Sequence, residues 1–108
     1  MAAALSAASS IDVVFEVPTD LPGHDLVSDG LADLAAGRRS EAALVVAMAA
    51  PRLRALGYVV SGEAGPTPSH ELYDVLSDAD PAGAHSRYNA LVRQVASFAR
   101  AAEHAAAG

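Results

Sequence analysis

The sequence predicts a mainly α protein, a compact bundle of about four helices over residues 21–36, 41–56, 68–78 and 82–105, with one short N-terminal β-strand over 11–17. Three observations carry this. Of the 108 residues, 52% are hydrophobic but only 5% aromatic, and about a quarter are alanine, so the core is built from small and aliphatic side chains on closely approaching backbones. Apolar residues recur at helical spacing through most of the chain. Prolines and glycines fall mostly between those stretches or at their ends, with Gly30 and Pro51 the two inside them. The length fits one domain, taken as 11–105, and the low-complexity ends 1–10 and 106–108 are expected to be flexible.

Each element has its own signal. Ile11, Val13, Phe15 and Val17 alternate with Asp12, Val14 and Glu16, a period of two rich in β-branched residues, and Pro18 closes the run. Asp20 with Pro22 can open the first helix, in which Val27, Leu31 and Leu34 form the apolar face before Gly37. Ser40 can cap the second. Its run from Ala42 to Ala50 is apolar on every side, the pattern of a helix surrounded by neighbours. Pro51 must either kink that helix or restart it, and Gly57 suits its end.

Tyr58 to Val60 is the local pairing candidate for the strand, and the following SGEAGPTP is a loop. Thr67 or Ser69 caps a third helix through Leu72, Tyr73 and Leu76. Asp80 and Pro81 open the last helix, whose regular part is expected after Ser86 as cap. There Tyr88, Leu91, Val92, Val95, Phe98, Ala99 and Ala102 form a continuous stripe, opposite Arg93, Ser97, Arg100 and His104. Val46, Leu91, Val95 and Phe98 are the expected centre of the core.

The formal charge is −6, with no lysine among the bases. Arginine used to the exclusion of lysine, beside abundant alanine, resembles the codon bias of a high-GC bacterial genome. Charge is segregated: residues 1–33 hold six acids and no base, 34–60 four Arg against Glu41, 61–86 five acids and no base, and 87–108 three Arg against Glu103. The expected arrangement docks the acidic helices against the Arg-bearing ones. Net negative charge disfavours nonspecific nucleic-acid binding, which needs a surface that neutralises phosphates.

Several chemistries lack their signals. The absence of cysteine excludes disulfides, thiolate metal sites and a cysteine nucleophile. The opening lacks a secretory pattern, and the longest apolar run, Ala42 to Pro51, is half a bilayer span, so a cytoplasmic protein without a membrane partner is expected. Asp25, Asp29 and Gly30 superficially match a calcium loop, but Val27 and Ala36 stand where oxygen ligands are required. His70, Glu71, Asp74 and Asp78 place His70 and Asp74 on one face but lack a second element's ligands, so no metal and no cofactor are expected. Nucleotide-binding and hydrolase glycine motifs are missing, and His85 and Ser86, being adjacent on a helix, point apart.

Arg100 and His104 resemble the Arg and His pair of the small all-helical HEPN-type ribonucleases, which couple a cation to a general acid or base near a phosphate. The resemblance covers those two residues. Only Ala101, Ala102 and Glu103 separate them, fewer than that family places there, so the motif's specificity is not carried over.

The leading expectation is a small non-enzymatic protein-interaction module, such as a regulatory or accessory subunit or an antitoxin-like partner. It binds another chain or itself through the strand residues Ile11, Val13, Val14 and Phe15, whose ladder Tyr58 to Val60 can complete only in part, and through the acidic stripe Asp25, Asp29 and Asp33. The alternative is a small helical enzyme or ligand binder with a site around His70, Tyr73, His85 and Arg87. A third is a nucleic-acid binder using an Arg face on the last helix.

Overall fold

A computed structural model describes residues 17–62 and 65–107. The strand expected at 11–17, apart from Val17, and the N-terminal end lie outside the described residues. Five helices follow in order: α1 His24–Ala35, α2 Glu41–Met48, α3 Ala50–Ala55, α4 Pro68–Ala79 and α5 Ala84–Ala107. No strand occurs among the described residues.

The apolar run of α2 places it at the centre. Ala43, Leu44, Val45 and Val46 are four consecutive buried residues, possible only where neighbours cover the helix on several sides. α1 packs along α2, α4 packs on another side of it, and α5 lies across α1, α2 and α4. Val27, Leu31, Leu44, Leu53, Leu72 and Phe98 are all but inaccessible, and no polar or charged residue is buried among the described ones. Val46, Leu91, Val95 and Phe98 lie in that core, as their spacing predicted.

Small residues set how closely α1 and α2 approach. Gly30 is buried on the inner face of α1. A methyl group built there would run into Val46 Cγ2 and the Ala42 carbonyl oxygen, and would stand 2.9 Å from the Ala42 carbonyl carbon. Only a residue without Cβ lets these backbones meet.

Two expectations about the elements are corrected. The helix over 41–56 is two helices, because Pro51 has no N–H to give the carbonyl four residues back and its ring crowds that carbonyl. Ala49, at φ −94° and ψ 5°, ends α2, and the chain restarts with Pro51 in the first turn of α3, where Leu53 N–H bonds the Ala49 carbonyl at 3.0 Å. Tyr58 to Val60 forms no strand. Its polar groups are claimed locally: Tyr58 N–H donates to the Leu53 carbonyl at 3.1 Å, and the Val60 carbonyl accepts from Arg54 Nη2 at 2.9 Å. Burial of Val60 and the Tyr58 ring against Phe98, 5.8 Å between centroids, fix the segment to the core.

The helix starts differ too. α1 begins after a turn rather than at Asp20. His24 N–H bonds the Leu21 carbonyl at 3.3 Å, and Gly23 at φ 75° is the cap, where a Cβ would stand 2.8 Å from the Gln94 carbonyl oxygen of α5. The entry is set by contact with another helix, which local spacing does not reveal. α5 begins at Ala84, after a turn in which Gly83 N–H bonds the Asp80 carbonyl at 3.2 Å, so Ser86 lies in its first turn instead of capping it.

Candidate functional site

The polar surface is organised by four Arg–carboxylate pairs among the described residues. Ser40 Oγ accepts the Ala43 N–H at 3.1 Å as the cap of α2 and donates to Asp33 Oδ2 at 2.7 Å, while Arg38 Nε donates to Asp33 Oδ1 at 2.9 Å. Arg39 grips both oxygens of Glu71, joining the α1–α2 loop to α4. Arg52 of α3 holds both oxygens of Glu103 on α5 at 2.6 and 2.8 Å. Arg87 of α5 reaches Glu41 of α2 at 3.1 Å.

The first two pairs follow the expected matching of acidic and basic segments. The other two join Arg-bearing segments to each other through their minority acids, Glu41 and Glu103. The Ser40 hydroxyl and then Arg38 hold the Asp33 carboxyl below the usual carboxylate range. Arg39 does the same for Glu71, and Arg52 for Glu103.

Of the surface depressions among the described residues, three bear on function. The largest, about 840 Å³, lies between α1, α2, α4 and α5. Leu26, Ala42, Val75 and Leu91 give it an apolar floor, and exposed Ala32 lines its rim with Asp29, Asp33, Arg38, Glu41 and Arg87. Within that rim Asp33 is neutralised by Arg38 and Glu41 by Arg87, whereas Asp29 is exposed with no partner in the described chain. Asp25, one turn earlier, is exposed and meets His24 Nε2 at 2.9 Å. Of the acidic stripe Asp25, Asp29 and Asp33, the last two therefore edge one groove.

The second depression, about 390 Å³, is lined by Ser69, His70 and Tyr73 of α4 and by His85, Tyr88 and Asn89 of α5. It unites three of the four residues expected to form a ligand site. Arg87 is not among them. Residues two apart on a helix differ in direction by roughly 200°, so Arg87 turns from the His85 side to the acid-rimmed groove. Tyr88 and Asn89, which complete the cleft, were legible only as stripe and flank residues, although both lie within one turn of His85.

The third, about 320 Å³, is an apolar groove between α2, α3 and α5 lined by Met48, Ala49, Pro51, Val92, Ala96 and Ala99 among others. Arg93, Arg100 and His104 are exposed along α5. No group of three or more His, Asp or Glu side chains among the described residues is placed to hold a metal ion, and no described helix is long and apolar enough to cross a membrane. Comparison with protein-family models, with curated proteins and with solved structures finds no match.

Proposed function

We propose that the protein is a non-enzymatic interaction module, a regulatory or accessory subunit or an antitoxin-like partner, that receives a basic amphipathic segment of another protein in the groove between α1, α2, α4 and α5. The observation that supports this is the pairing of an apolar floor with an acid-rich edge whose Asp29 has no internal partner. Burial of apolar side chains against Leu26, Val75 and Leu91 supplies the attraction, and a cation opposite Asp29 fixes the orientation. The formal charge of −6 favours encounter with a basic partner over an acidic one.

Amide NMR of the native chain, titrated with a short amphipathic Leu/Lys helix and with its Leu/Glu counterpart, tests the reading. The expected result is saturable shifts confined to Leu26–Asp33, Val75 and Arg87–Leu91 with the basic peptide only, and their loss in Asp29→Lys. Shifts spread evenly over the surface, or equal binding of the acidic peptide, would sink it.

A further inference from the structure

Val75 faces the acid-rimmed groove and Tyr73 the opposite flank of α4, so the cleft lined by Ser69, His70, Tyr73, His85, Tyr88 and Asn89 is a separate surface. We infer that this cleft binds a neutral, planar heteroaromatic ring with hydrogen-bonding edges, of nucleobase chemistry. Four of its six lining residues, His70, Tyr73, His85 and Tyr88, carry aromatic rings. The Tyr73 and Tyr88 rings stand 5.7 Å apart between centroids and tilted by 56°, so they meet obliquely rather than stacked. Tyr73 remains 39% exposed, one of two large hydrophobic residues so accessible among those described. An exposed ring beside a cleft is a stacking platform that tolerates any flat π system.

The polar tips around these faces supply the edge contacts. The Tyr73 and Tyr88 hydroxyls, the Ser69 hydroxyl and the His70 imidazole have no hydrogen-bond partner within the described chain, so they are available to a ligand. His85 is held by Asn89, whose side-chain amide lies 3.3 Å from His85 Nε2. No Asp, Glu or Arg lines the cleft. A strongly charged ligand would lose hydration there without a countercharge, whereas a neutral ring exchanges water for stacking and edge hydrogen bonds.

The inference stands apart from the groove reading, since neither surface supplies the other's lining. The test is NMR of the full chain, following the ring resonances of His70, His85, Tyr73 and Tyr88 during titration with adenosine. Choline, inorganic phosphate and glucose serve as cationic, anionic and non-aromatic comparators. Expected are saturable shifts of these rings with adenosine alone. Tyr73→Ala, at an accessible position, should weaken binding at least about tenfold, and Tyr73→Phe, which keeps the π face, should hold it within about threefold. Absence of saturable shifts with adenosine, tighter binding of choline, phosphate or glucose, or a Tyr73→Ala variant of native affinity would each overturn the inference. If Tyr73→Ala fails to fold, the native ring shifts and the Tyr73→Phe affinity decide it.

Discussion

Replacing Gly30 by alanine separates helix propensity from packing, because the two demand opposite signs. In an exposed helix interior the change stabilises by about 1 kcal/mol. In α1 the new methyl meets Val46, whose side chain is 0% exposed and has no room to turn away, and the backbone of Ala42, which has no rotamer to change. Carbon atoms pack at roughly 3.5–4.0 Å, and the Ala42 carbonyl carbon would be at 2.9 Å, so α1 and α2 must part by on the order of 1 Å. Such overpacking costs about 1–3 kcal/mol, and here it acts along the seam that also holds Val27, Leu31 and Leu34. Because the methyl meets both a locked side chain and backbone, the cost falls in the upper part of that range, about 2–3 kcal/mol, and the expected net effect of Gly30→Ala is a loss of about 1–2 kcal/mol, worth about 4–8 °C in melting temperature per kcal/mol for a domain of this size. Urea midpoints of the native chain and the variant measure it, with Ala32→Gly on the exposed side of α1 reporting the propensity alone. A Gly30→Ala protein as stable as the native one, or more so, would refute the argument.

Two further outcomes follow from the core and the ion pairs. Phe98→Ala should lose about 3–5 kcal/mol in denaturant midpoint experiments, since Phe98 is 0% exposed and touches the Tyr58 ring; a loss below about 1 kcal/mol would mean the site collapses or is not core. Asp33, Glu71 and Glu103 have folded-state pKa values below their unfolded ones, so the native state binds fewer protons, and the stability they add is present above about pH 4–5 and lost as pH falls through the carboxylate range. Melting temperature should be level from pH 7 to pH 6 and decline below about pH 4.5, by a modest amount because these pairs are solvent-screened; an equal melting temperature at pH 3.5 would contradict it.

Where the sequence was legible, one repeating pattern carried the information. The stripe of α5 needed only its 3.6-residue period, and Leu91, Val95, Phe98, Ala99 and Ala102 are all buried. The Ser40 cap needed only a hydroxyl before an apolar run, and its Oγ does accept the Ala43 N–H. Features that depend on a second element were hidden. Nothing near Gly23 announces the Gln94 carbonyl that excludes a side chain there, and nothing near Tyr58 announces that Arg54 claims the Val60 carbonyl. Of the candidate site residues, His70 and Tyr73 share a face of α4 by spacing alone, whereas their meeting with His85 depends on the packing of α4 against α5. Arg87 was assigned to the wrong flank of α5, a misplacement that helical periodicity itself exposes. The pairing of Asp33 with Ser40 and Arg38 was missed because a regularly spaced acidic stripe gives no sign that one member is tied internally.

The unequal lengths of α4 and α5 have a kinetic consequence. At about 1.5 Å per residue, the 24 residues of α5 run about 36 Å and the 12 of α4 about 18 Å, so α4 can brace only part of its neighbour. From His104 to Ala107 every side chain of α5 is exposed. Amide protons there are held by intrahelical bonds alone and are expected to exchange through fraying, at rates insensitive to denaturant. Those around Leu91 to Phe98 exchange only when the whole core opens. A single unbroken helix thereby spans two regimes of protection, and the boundary between them marks where tertiary burial ceases rather than where the hydrogen-bonded ladder ends.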